Sequence, residues 1–309
     1  MTDDVNKSSD VSMQHDGLFW RDLGYRASVN GPEWWKRLGP PLAGMAIFGL
    51  VGENRRGAVA NLTQILDHPG FFRSHLAAMR MFMQFARVFR ETCEVQHEEE
   101  LGLDLESNLD IEIPPELDLE RVVPEDSGLI ALTSHFGCWE IGARVMRRFD
   151  RPVNLVMAHE GNPTVQAFQD KMRGQMGLKI IHSDNSPFAS VEMLRALRRR
   201  EVVAIQLDRS APGQVTRQMP FFGKPADFQV GPFHLARAAN VPIWPVFAVS
   251  ESRRSYKFLP SRLYRIARGS SEEDLQQTMA EVVAFFEEKV RQYPLQWFQF
   301  RDFWANQKA

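Results

Sequence analysis

Gly128-Leu-Ile-Ala-Leu-Thr-Ser-His-Phe-Gly-Cys-Trp-Glu-Ile-Gly-Ala143 opens with an apolar run of strand length, ends that run in Ser134-His135, and places Glu140 five residues beyond the histidine. The pattern reads as a strand, a turn and the start of a helix. Positions five apart on a regular helix lie roughly 140° apart around the axis. For the two side chains to meet, His135 must therefore stand on the turn before the helix, with Gly137 as the flexible point. An imidazole beside a carboxylate is a usable general base near neutral pH. A packed strand-end histidine, with Glu140 merely complementing the helix dipole, is the competing account of the same residues.

Other segments extend the pattern. Gln206-Leu-Asp-Arg209, Pro220-Phe-Phe-Gly-Lys-Pro-Ala226, Gly231-Pro-Phe-His-Leu-Ala-Arg237 and Val241-Pro-Ile-Trp-Pro-Val-Phe247 follow in order. With Ser134 to Glu140, a His-x-x-x-x-Asp/Glu motif, this series resembles the lysophospholipid acyltransferase superfamily in the form of the late acyltransferases of lipid A biosynthesis. Phe19-Trp-Arg-Asp-Leu-Gly24 and Trp297-Phe-Gln-Phe-Arg-Asp-Phe-Trp304 are similar to the branch associated with aryl polyene lipid clusters. The resemblance spans nearly the whole chain.

It implies a metal- and cofactor-independent O-acyltransferase that moves a fatty acyl chain from a thioester, on acyl carrier protein or coenzyme A, to a hydroxyl of a lipid or glycolipid. His135 would be the general base and Glu140 the carboxylate that orients it. Arg209 would face the donor's phosphate or the oxyanion, unless it forms a structural ion pair with Asp208. Asp208, Phe221, Phe222 and Gly223 would line the substrate side. A lysophospholipid or glycerol-phosphate acyltransferase, and a thioesterase-like hydrolase, are the alternatives. The acceptor hydroxyl is itself the nucleophile, and the chain has no Gly-x-Ser-x-Gly elbow.

The rest of the chain sets the frame. Apolar segments at 153–158, 178–182, 202–207, 243–250 and 256–259 alternate with helical stretches near 164–176, 187–199 and 231–239. Such alternation predicts an α/β fold with a largely parallel or mixed sheet, whose ligand crevice lies at the strands' carboxyl ends. His135 and Asp208-Arg209 both fall at such ends. Residues 1–17 read as a disordered tail, 18–120 as a helical, membrane-proximal region, and 121–309 as the α/β core, with 18–309 as one unit.

A length of 309 residues with 44% hydrophobic content suffices for a large core, and a net charge of -2 argues against bulk nucleic-acid binding. The two cysteines have no metal-ligand spacing and form no disulfide framework, which fits a reducing compartment. Leu38 to Val51 is too short to span a bilayer, yet it is flanked by Trp34-Trp35-Lys36-Arg37 and Arg55-Arg56. That pattern suits either an interface or an ordinary buried helix, and the resemblance implies peripheral attachment, to the cytoplasmic face of a bacterial inner membrane. Phe71 to Val95 carries Met and Phe at helical spacing, a packing stripe. The acidic stretch from Glu98 to Glu120 reads as a surface connection. Arg195, Arg198, Arg199 and Arg200 close a predicted helix, either as a solvated terminus or as a patch that steers an acidic carrier protein.

Overall fold

The computed structural model describes residues 13–103, 109–115, 125–146, 151–158, 177–183, 188–210 and 213–305, with side chains from residue 22 onward. Four helices come first: α1 (Met13–Asn30), α2 (Glu33–Leu50), α3 (Gly52–Ile65) and α4 (Phe71–Glu100). α1 begins inside the segment expected to be a tail, since between Met13 and its packed C-terminal half only Gly17 is a weak helix former. Residues 1–12 lie outside the described set.

α2 crosses α4 closely. A side chain at Gly44 would sit 2.6–2.7 Å from Met83 backbone atoms, so only glycine permits the approach. The apolar stripe on α4 packs inward through Ala78, Met81, Phe82 and Val88. Its second half is unexpectedly ionic. Buried Arg90 binds Glu94 at 2.9 Å and Glu91 at 3.0 Å, while Glu91 accepts the Tyr256 hydroxyl at 2.8 Å. Arg254 pairs with Glu98, and Arg144 with Glu99 at 3.2 Å. The acidic end of α4 is thus pinned to the sheet rather than left as a surface connection.

The strands are β1 (Asp110–Glu112), β2 (Leu129–Thr133), β3 (Val153–Met157), β4 (Leu178–His182), β5 (Val202–Gln206), β6 (Thr216–Phe221), β7 (Lys224–Gln229), β8 (Ile243–Ser252) and β9 (Ser255–Pro260). Seven form one sheet in the order β1-β9-β8-β2-β5-β3-β4. Pairing is parallel except between β8 and β9, so the sheet is mixed as expected. β1 arises inside the acidic stretch, upstream of the boundary expected at residue 121, and still joins the sheet through β9. Among the described residues the α-helices after the first four are α5 (Trp139–Val145), α6 (Ala189–Arg198), α7 (Gly231–Ala239) and α8 (Glu272–Gln292). The helix expected near 164–176 lies outside the described residues.

β6 and β7 form a separate hairpin. Phe221 pairs with Lys224, and the two residues between them, Phe222 (φ 50°) and Gly223 (φ 75°), have the positive φ values of a two-residue hairpin turn. α8 starts with a reciprocal cap between Ser271 and Asp274 and buries Phe286 against the hairpin. Residues of α3, α4, the sheet, the hairpin and α8 share one hydrophobic core.

Candidate active site

β2 and β5 are parallel neighbours, with Thr133 opposite Gln206. Two residues further along each strand stand His135 and Asp208, so the sheet register itself sets them side by side. The His135 Nδ1 lies 3.0 Å from Asp208 Oδ1, and the His135 backbone N–H donates to both carboxylate oxygens at 3.0 and 3.1 Å. Trp297 Nε1 donates to Asp208 Oδ2 at 2.9 Å. Asp208 is fully buried, while the His135 side chain keeps 23% exposure.

Burial alone would push the Asp208 carboxyl up. The adjacent charge and hydrogen bond of His135, with Arg209 and the Trp297 indole, instead hold it below the usual carboxylate range. An ionised carboxylate can only accept, so Nδ1 carries the proton and the Nε2 lone pair is free.

The histidine is fixed from other directions too. Its carbonyl accepts the Phe298 N–H at 2.8 Å, and the Gly137 N–H donates to the Gln296 carbonyl at 2.8 Å. Gly137 has φ 64°, and a side chain there would meet the Ala248 carbonyl oxygen at 1.9 Å. This turn carries the chain across to β8, where Cys138 N–H donates to Ala248 O.

The expected pairing of His135 with Glu140 is therefore not what forms. The Gly137 turn starts α5 on the β8 side of β2, whereas Asp208 comes from β5 on the other side. The Glu140 carboxylate makes no hydrogen bond or ion pair among the described residues. Its charge falls near Cys93 of α4, whose thiol is pushed up to about 12, by burial first and then by Glu140. Cys138 is likewise raised by burial and is no nucleophile at neutral pH.

The other expected site residues distribute unevenly. Arg209 forms no ion pair with Asp208; its Nη2 donates to the Phe298 carbonyl at 3.3 Å, and although the residue reaches the surface beside the dyad, burial of the guanidinium pushes its pKa below the usual value. Phe221 is fully buried, 5.5 Å from the Trp297 ring, and so braces the indole rather than lining an open cleft. Phe222 is buried as well, locked by Glu287 on its N–H and Gln64 on its carbonyl. Only Gly223 stands at the surface. Arg199 is committed to Glu201, whereas the side chains of Arg195, Arg198 and Arg200, the last at φ 65° as the chain leaves α6, are exposed without partners among the described residues.

Trp297, Phe298 and Gln299 are the functional residues not foreseen from sequence. Gln299 Nε2 donates to the Asp208 carbonyl at 3.3 Å, and the same segment is held to α3 by Asn61, which donates to the Gln299 and Arg301 carbonyls at 2.8 Å each. The aromatic density of 297–304 was the available signal.

The arrangement is a buried carboxylate, an oriented imidazole with one nitrogen free, and a neighbouring guanidinium, at the carboxyl end of a mostly parallel sheet. The family described as bacterial lipid A biosynthesis acyltransferase matches residues 29–306. The chain belongs to that family. No curated protein matches it. Among solved structures it is similar to the crystal structure of the 1-acyl-sn-glycerophosphate (LPA) acyltransferase PlsC from Thermotoga maritima, at 16% identity and a TM-score of 0.37, over 77% of this chain and 98% of that one. This member of the lipid A acyltransferase family is accordingly an acyltransferase that acts on lipids, and its His-x-x-x-x-Glu motif contributes a histidine whose hydrogen-bonded carboxylate comes from a different strand.

Proposed function

We propose that the protein transfers a fatty acyl chain from a thioester, on acyl carrier protein or coenzyme A, to a hydroxyl of a membrane lipid or glycolipid. The observation that carries the reading is the contact between His135 Nδ1 and buried Asp208, which leaves Nε2 to accept the hydroxyl proton. The deprotonated oxygen attacks the thioester carbonyl, the C–S bond breaks, and the imidazolium returns its proton to the departing thiolate. Asp208 stabilises the imidazolium meanwhile. Arg209 has donors to spare for the oxyanion or the donor's phosphate.

Purified protein incubated with each thioester, with and without a lipid acceptor, tests the reading. Acyl-lipid should form, and thiol release should depend on the acceptor. Thiol release at one rate in both conditions would make the protein a hydrolase instead.

The site of action on this reading is the cytoplasmic face of a bacterial inner membrane. No described helix is long and apolar enough to cross a membrane. Support comes from α2, which exposes Trp34, Leu38, Leu42, Ile47 and Leu50, apolar surface that water disfavours. Replacing Leu38, Leu42, Ile47 and Leu50 together by serine leaves the contacts with α4 in place. It is expected to abolish most sedimentation with vesicles while the thermal midpoint holds. Undiminished sedimentation would exclude α2 as the contact. Exposed Arg195, Arg198 and Arg200 are the part of the arginine cluster left to steer an acidic carrier protein.

A further inference from the structure

Between the middle of α4 and the segment that follows α8 lies an open groove of about 570 Å³. Arg80 and Arg87 line it from α4. Seven residues apart, they share one helix face about 10 Å along the axis. Both are exposed, and neither forms a hydrogen bond or ion pair among the described residues, in contrast to Arg90 one turn on. Glu251 is the carboxylate on the lining, and it already accepts the Tyr293 hydroxyl at 3.0 Å. The lining is thus left with net positive charge and two free guanidinium forks, donors that match phosphate oxygens in pairs.

The surroundings indicate what carries the phosphate. Leu295 and Met83 give the lining an apolar part, and Met83 is the residue against which Gly44 brings α2. Ile47, one turn along α2 from Gly44, is exposed, so the helix that packs at Met83 carries aliphatic surface on the side nearest α4. Another lining residue, Gln296, accepts the Gly137 N–H and precedes Trp297, which holds Asp208. We infer that this groove binds the phosphorylated headgroup of a lipid, with Arg80 and Arg87 on the phosphate and the acyl chains directed toward α2.

The choice of a lipid rests on the acyl-transfer reading, so binding is measured separately from turnover, on H135A protein. Dihexanoyl phosphatidic acid, which is soluble and carries a phosphate, is titrated beside dihexanoylglycerol, which lacks one. The phosphate is expected to tighten binding at least about tenfold, the scale of charge-assisted hydrogen bonds. R80Q/R87Q should erase that preference, and E251Q should strengthen it. K224Q/R265Q removes two positive charges outside the groove and should leave it intact.

Equal affinity for the two lipids overturns the inference. So does a preference that survives R80Q/R87Q, or one lost equally in K224Q/R265Q, which would reduce the effect to overall charge. Coenzyme A is titrated as the phosphate source without lipid chains; if R80Q/R87Q weakens coenzyme A and spares phosphatidic acid, the groove belongs to the donor and the inference fails. Absent transfer by the wild type with the preference intact would strike the acyl-transfer reading alone. Transfer with the preference absent would strike the groove alone.

Discussion

His135→Ala is expected to lower acyl transfer by a factor on the order of 10² to 10⁴, the usual contribution of a positioned general base. That corresponds to roughly 3 to 5 kcal/mol of transition-state stabilisation. The loss should appear in kcat with little change in KM for either substrate, because Nε2 acts on a proton that moves only in the transition state. The imidazole is part-exposed, so its removal leaves a small surface defect rather than a core cavity. The fold should survive, with the thermal midpoint lowered by the ring contact that buried Asp208 loses, because the His135 N–H and the Trp297 indole still donate to the carboxylate. Transfer and unfolding measured on the same preparations separate a chemical loss from a structural one. A folded His135→Ala protein that transfers at near the wild-type rate would sink the mechanism.

Asp208→Asn should combine two effects that His135→Ala keeps apart. The amide retains an oxygen for some of the N–H donors around it, yet it brings its own N–H₂ toward the His135 ring or the Trp297 indole and removes the negative charge. The wrong tautomer is then favoured, and turnover should fall by as much as about 10⁴. Replacing the buried carboxylate by an amide that cannot accept from all of these donors should also cost about 1 to 3 kcal/mol of stability.

The pH dependence has a definite sign. The folded-state carboxyl is held below its ordinary value of about 3.9, so its stabilising contribution is fully present above that value and is lost only as pH falls through the still lower folded value. Denaturant midpoints of Asp208→Asn and wild type should accordingly differ above about pH 4 and converge as pH falls below it. Glu140→Gln is the comparison, because Glu140 makes no contact with the ring. It should cost less turnover than Asp208→Asn, and the reverse order would restore Glu140 as the partner of His135. In the His135→Ala background Asp208→Asn should add little further kinetic loss, since Asp208 acts through the imidazole.

The histidine was legible because its position needs only local information: an apolar run, a glycine turn and a helix start. All six sequence-derived strand segments begin within one residue of their observed starts for the same reason. The partner was not legible, because neighbourhood in a sheet is a long-range property. Nothing in 134–140 says that β5 will pair with β2, whereas once Thr133 stands opposite Gln206 the meeting of His135 and Asp208 follows from register. Glu140 looked attractive by spacing alone, and the φ of Gly137 sends it elsewhere. The hairpin turn at Phe222 shows the converse, since a phenylalanine at positive φ is tolerated only where both its backbone polar groups are bound from outside, by Glu287 and Gln64. The three-residue β1, set in an acidic stretch, has too little apolar pattern to stand out and exists because β9 offers it an edge.

Asn61 is made early and finds its partners, Gln299, Arg301 and Phe303, only 238 to 242 residues later. At a synthesis rate of roughly 5 to 20 residues per second, α3 waits on the order of tens of seconds for the segment that it shares with Asp208. During that interval His135 and Asp208 have both been made, but the Trp297 indole and the Phe298 N–H have not. On the proposed mechanism a nascent chain is therefore built with its chemistry unarmed, and competence is expected only when residues 296–303 dock. Translation arrested after residue 290 and after residue 305 should yield chains of similar helix content and sharply different transfer activity.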